Sequence, residues 1–131
     1  MKKILSVIFC ICYLNSIYAL SLDIEKYQKN SSIQWLWAMQ AIYKLELKGD
    51  ERVLDIGTAD GKIAAHLSTL LSRGSVIGID SLNEAVTLAK KSYPQKDYPN
   101  LSFEWGRAET YIGEEAFDLI TAFSSLNWVE E

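Results

Sequence analysis

The residues best placed to do chemistry in this sequence are two acids and the small residues between them. Val53-Leu54-Asp55-Ile56 is a short apolar run with an acid inside it, and it opens into Gly57-Thr58-Ala59-Asp60-Gly61-Lys62. Gly57 and Gly61 can take positive φ angles and let the main chain approach a ligand closely. A helix beginning near Gly61 would present unpaired N–H groups and a partial positive charge, which suit a carboxylate or a phosphate. The next apolar run, Val76-Ile77-Gly78-Ile79-Asp80, ends in a carboxylate that can accept both hydroxyls of a ribose. A glycine turn paired with an acidic strand end points to an adenosine-type cofactor. On these residues alone a nicotinamide enzyme fits too, although the turn lacks the G-x-G-x-x-G spacing of a dinucleotide site.

Other chemistries are poorly supplied. His66 is the one histidine, so any Ser-His-Asp triad or His-ligated metal would have to use it. It stands mid-helix beside Ala65 and Leu67 and reads as a core-edge residue. Cys10 and Cys12 both fall in the first apolar run, which leaves the rest of the chain without a disulfide framework or thiolate metal site. No metal is expected, and no catalytic residue stands out. The 131 residues suit one small domain. With 13 basic and 17 acidic residues the formal charge is −4, so the chain has no general attraction to phosphate backbones and nucleic acid is not expected as a partner.

The elements that must hold these residues alternate. Asn30-Ser31-Ser32 offers a cap for a helix running through Leu47. Arg52 to Ile56 reads as a buried strand, Lys62 to Leu71 as a helix, and Ser75 to Asp80 as a second strand. Ser81 to Tyr93 reads as a helix, with Ser81 and Glu84 spaced for a capping box. Leu101 to Trp105 alternates as a third strand. Phe117 to Phe123 is a near-continuous apolar run suited to a strand covered on both faces. Strands alternating with helices predict an α/β fold with a parallel sheet.

At the turn the sequence resembles the class I S-adenosylmethionine-dependent methyltransferases, whose first motif is D/E-x-G-x-G-x-G. Asp55, Gly57 and Gly61 match it, and Ala59 replaces the central glycine. The resemblance covers roughly Tyr27 to Glu131 and implies a Rossmann-like sheet with S-adenosyl-L-methionine as cofactor. By it, Asp55, Gly57, Thr58, Ala59 and Gly61 would cup the amino-acid tail, Asp80 would hold the ribose, and Ser81 and Leu82 would lie along the adenosine. Phe103 to Glu109 resembles the third-strand segment. Arg107 stands where the family commonly has an acid, so Ala108 and Glu109 are the adenine candidates there. FDLITAFSSLNWVEE resembles the fourth motif, with Phe123 on the cofactor. The likeness extends to the subgroup of trans-aconitate and juvenile hormone acid methyltransferases, through Asn30 to Gln34 and through Ser124-Ser125-Leu126-Asn127-Trp128-Val129, where Asn127 replaces a histidine. That likeness implies a small carboxylic acid as methyl acceptor, faced by Gln34 and Trp128. A carboxylate is ionised at neutral pH and needs no general base, so the scarcity of histidine is no obstacle. A non-catalytic adenosine-binding module and, behind it, a nicotinamide oxidoreductase are the competing readings.

Residues 1–21 carry Lys2 and Lys3 ahead of an apolar run of about 11 residues, the form of a secretory leader. They divide the chain into a leader, 1–21, and a domain, 22–131. The leader predicts export or membrane anchoring, and a cytoplasmic protein if it does not function. The family's complete sheet has seven strands, so a chain ending soon after the fourth is expected to be an N-terminal portion of a longer enzyme, a truncated gene product or half of a split protein, in each case without the C-terminal half. The apolar strand FDLITAF would then be an open edge, which invites aggregation.

Overall fold

Short apolar runs closed by turn residues form the strands here, and longer runs with helical spacing lie between them. The computed structural model describes residues 5–9, 32–111 and 117–123. Strand β1 is Leu5–Phe9, helix α1 Ser32–Tyr43, β2 Arg52–Ile56, α2 Lys62–Leu70, β3 Ser75–Asp80, α3 Asn83–Ser92, β4 Leu101–Trp105, α4 Ala108–Tyr111 and β5 Leu119–Phe123. The five strands make one parallel sheet in the order β1-β5-β2-β3-β4. The Rossmann-like α/β expectation therefore holds.

Side-chain alternation sends each strand's residues to two cores. Val53, Val76, Leu101, Leu119 and Phe123 join Ala64, Leu67 and Ala89 of α2 and α3 on one face. Leu54, Ile56, Ile79 and Ala122 join Ala108 and Phe117 on the other. Asp55 has the parity of Val53, and Thr121 that of Leu119 and Phe123, so both belong to the face covered by α2 and α3. The register sets Asp55 opposite Thr121 on one side and opposite Gly78 on the other.

Several expectations need correction. Helix α1 stops at Tyr43, not Leu47. Beyond it the chain is extended and tightly turned, because the Glu51 carboxylate accepts the N–H groups of Lys48 and Gly49 at 2.7 and 2.9 Å. Leu45 and Leu47, two apart, both pack on the core from this extended stretch. No Ser81–Glu84 capping box forms. Leu82 is the N-cap of α3 without a side-chain bond of its own, and Asp80 Oδ1 accepts the Leu82 N–H instead. The edge of β5 is not open, since β1 pairs with it along all five residues, from Leu5 opposite Leu119 to Phe9 opposite Phe123. A continuous apolar run is the signature of a leader's core and equally of a buried parallel strand, so its sequence did not distinguish the two. The rest of the expected leader, the Asn30-Ser31 cap and Asn127-Trp128 lie outside the described residues. Among the described residues no helix is long and apolar enough to cross a membrane.

Candidate functional site

The carboxyl ends of β2, β3 and β5 meet at the turn that links β2 to α2. Gly57, Ala59 and Gly61 take positive φ angles of 67°, 49° and 81°. Ala59, an alanine where the family pattern has glycine, therefore keeps the left-handed shape at a steric cost of about 1 kcal/mol or more. The turn is tied down at both ends. Thr58 N–H donates to the Ile79 carbonyl, and Gly61 N–H donates to the Thr58 carbonyl, each at 2.9 Å. Gly61 also permits close packing: a Cβ there would lie 2.6 Å from the ring of Phe103.

Asp80 joins two parts of the site. Its Oδ2 accepts the Ala59 N–H and its Oδ1 the Leu82 N–H, each at 2.9 Å. One carboxylate thus braces the turn after β2 against the start of α3, and each oxygen keeps a lone pair for a ligand hydroxyl.

Asp55 is buried and accepts a 2.7 Å hydrogen bond from the Thr121 hydroxyl. Burial pushes its carboxyl up to about 6, the nearby Asp80 charge adds to that, and the hydroxyls of Thr121 and Thr58 oppose it. The Thr58 hydroxyl nevertheless closes no hydrogen bond of ordinary geometry and is buried without a partner, as is Gln34 Oε1. Gly78 makes room for Thr58, since a Cβ on it would stand 2.7 Å from that hydroxyl.

Asp55, Gly57, Thr58, Ala59, Phe123 and Gln34 line one pocket of about 370 Å3, its open mouth included. A pocket with a buried carboxylate and two unpartnered polar groups fits a ligand rich in N–H donors. Asp80 and Leu82 are not among the residues that line this pocket. Ser81 accepts a bond from the Trp105 indole at 3.0 Å, and Leu82 is exposed. Ala108 is buried at the start of α4, and Glu109 lies 3.7 Å from Arg107. Trp128 lies outside the described residues.

Sequence reasoning missed Thr121, Asp60, Lys62 and Ile63 as site residues. The signal for Thr121 was the single hydroxyl in an otherwise apolar stretch of FDLITAF, two residues from Leu119 and from Phe123. Trp35 lines the pocket too. The Lys62 ammonium lies over its ring at 4.6 Å, and His66 meets it edge-on at 5.4 Å. His66 is thus a packing residue, as its place in the helix implied.

The model of the Methyltransferase domain family matches residues 47–131. Protein 235L of Invertebrate iridescent virus 6, which carries a methyltransferase name, is 30% identical over 92% of this chain and 44% of its own length. YcgJ of Bacillus subtilis (strain 168), an uncharacterized methyltransferase, is 34% identical over 58% of this chain and 30% of its own. Its crystal structure superposes with a TM-score of 0.55 over 68% of this chain and 36% of that one. Coclaurine N-methyltransferase, solved with N-methylheliamine and SAH, shares the fold with a TM-score of 0.59 at 13% identity, over 68% of this chain and 26% of that one. The chain thus spans less than half the length of the curated relatives it matches.

Proposed function

Because the chain belongs to the class I S-adenosylmethionine-dependent methyltransferase family, we propose that its glycine-turn crevice binds S-adenosyl-L-methionine and that the enzyme methylates a small-molecule carboxylate. The observation that carries the reading is Asp80, which braces the left-handed turn at Ala59 and the start of α3 with one carboxylate. That arrangement keeps an acid at the strand end, where a ribose is recognised in sheets of this kind. The tail pocket fits as well. Asp55 and the Thr58 hydroxyl suit an ammonium. Ala108, Glu109, Ser81 and Leu82 are the residues available to the adenine. When bound, the cofactor supplies a sulfonium methyl already activated by sulfur's positive charge. The protein's share is then alignment and exclusion of water, with no general base for an acceptor that is already ionised. Gln34 borders the pocket, and its amide NH2 is the proposed donor to an acceptor carboxylate, with Trp128 as its proposed companion.

Calorimetry with S-adenosylmethionine, S-adenosylhomocysteine and NAD tests the cofactor. Both sulfur nucleosides should bind and NAD should not. Asp80→Ala should weaken binding by about 1–3 kcal/mol, roughly 5- to 150-fold, through loss of a charged acceptor. Tight NAD binding without nucleoside binding would overturn the reading. Transfer of labelled methyl to a panel of small carboxylic acids, with RNA alongside, tests the acceptor. Label on RNA and not on the acids would overturn the carboxylate assignment, and cofactor binding without transfer to anything would favour a non-catalytic module.

A further inference from the structure

A threonine inside an apolar parallel strand needs a reason. Thr121 is fully buried, its neighbours on β5 are apolar, and a buried hydroxyl is unfavourable unless it is bonded. It stands in register with Asp55 on the adjacent strand and on the same face of the sheet. A hydroxyl has one proton to donate. The Asp55 carboxylate takes it at 2.7 Å, while the Leu54 carbonyl lies farther off at 3.5 Å. We propose that Thr121 is a positioning residue, whose hydroxyl holds the Asp55 carboxylate oriented at the pocket for a cationic group of the ligand. This rests on the reading that the pocket takes the amino-acid tail of S-adenosylmethionine, and it deepens that reading.

The surroundings give the hydroxyl its importance. Burial and the Asp80 charge on β3 both disfavour an ionised Asp55, and among its neighbours the Thr121 hydroxyl opposes them most strongly. Asp60 of the turn and Lys62 of α2 line the same pocket, one of each sign, while α1 contributes the uncharged Gln34 and Trp35. A carboxylate bonded on Oδ1 has its other oxygen left for an ammonium, and binding that ammonium favours the charged form. Ligand affinity should therefore fall as pH drops through the Asp55 midpoint.

The test uses the full 131-residue chain. Thr121→Val keeps the shape and removes the hydroxyl, Thr121→Ser keeps the hydroxyl, and Thr121→Ala replaces the valine variant if circular dichroism shows that one unfolded. Carbon-13 carboxyl NMR follows the Asp55 midpoint, and calorimetry follows S-adenosylhomocysteine at pH 6 and pH 8.5. In Thr121→Val the midpoint should rise by about one pH unit or more, as expected for losing a hydrogen bond to a charged group. Affinity should fall about fivefold or more at pH 6 and less than about threefold at pH 8.5, with both properties retained in Thr121→Ser. An unmoved midpoint, or an equal loss of affinity at both pH values, would overturn the inference while leaving the cofactor reading intact. Failure of the unaltered chain to bind the nucleoside would overturn both.

Discussion

Asp55 is a residue whose place in the site works against the fold. Its carboxyl is pushed up to about 6 from an ordinary 3.8 by burial first of all. The folded chain therefore holds a proton that the unfolded chain has released between about pH 4 and pH 6. The sign follows: the fold is favoured while Asp55 is protonated, and that contribution is lost as pH rises from about 4 through 6. Above that range the buried charge destabilises the protein by roughly 3 kcal/mol. Asp55→Asn should remove the penalty. Its stability in urea should exceed that of the unaltered chain at pH 8, with a gap that closes as pH falls toward 4, while S-adenosylhomocysteine binding weakens at least tenfold. A variant less stable than the parent at pH 8 would show that the charge is compensated in the fold itself.

At the scale of elements, the turn between β2 and α2 contains two opposite departures from the ordinary use of glycine. Ala59 carries a side chain at φ 49°, and Gly61, at φ 81°, has no room for one against Phe103. Ala59→Gly should stabilise the chain by about 1 kcal/mol, the left-handed strain less the added freedom of the unfolded glycine. Gly61→Ala should destabilise it by about 2 kcal/mol or more, from that same strain plus a collision with the ring. Thermal unfolding of the pair measures both, and equal effects in one direction would contradict the geometry. The sequence disclosed much of this level. Arg52–Ile56, Ser75–Asp80 and Leu101–Trp105 were readable to the residue, because short apolar or alternating runs there are closed sharply by polar and glycine residues. The first helix was read too long, since Leu45 and Leu47 look helical until Glu51 folds back on Lys48 and Gly49. The last strand begins at Leu119, not Phe117. Asp118 and Arg52 clasp each other through backbone and side chain at 2.9 and 3.0 Å and hold Phe117 just before the strand, in the second core. The site's acids were legible from the motif. Thr121 was not, because its role depends on which strand lies beside β2, and that is a property of topology.

At the scale of the whole molecule the decisive pairing is the one between β1 and β5. Leu119, Thr121, Ala122 and Phe123 are buried, and β5 carries half of the Asp55–Thr121 contact. A chain without residues 1–21 would lose β1 and present the backbone N–H and C=O groups of β5 along an apolar edge, a template for pairing with other chains. The truncated protein should therefore self-associate as its concentration rises, seen by light scattering, and should unfold at a lower temperature than the full chain. Charged substitutions on that strand, such as Ile120→Lys, should restore solubility to the truncated form without restoring its unfolding temperature, because they block association and do not replace the lost pairing. The same strand bears on processing. Intact-mass measurement of the protein made in cells shows whether Leu5–Phe9 stays attached. If residues 1–21 are removed in the cell and the remainder is monodisperse with an unchanged unfolding temperature, β1 is not needed to cover the sheet, and the edge of β5 must be tolerated by the rest of the chain.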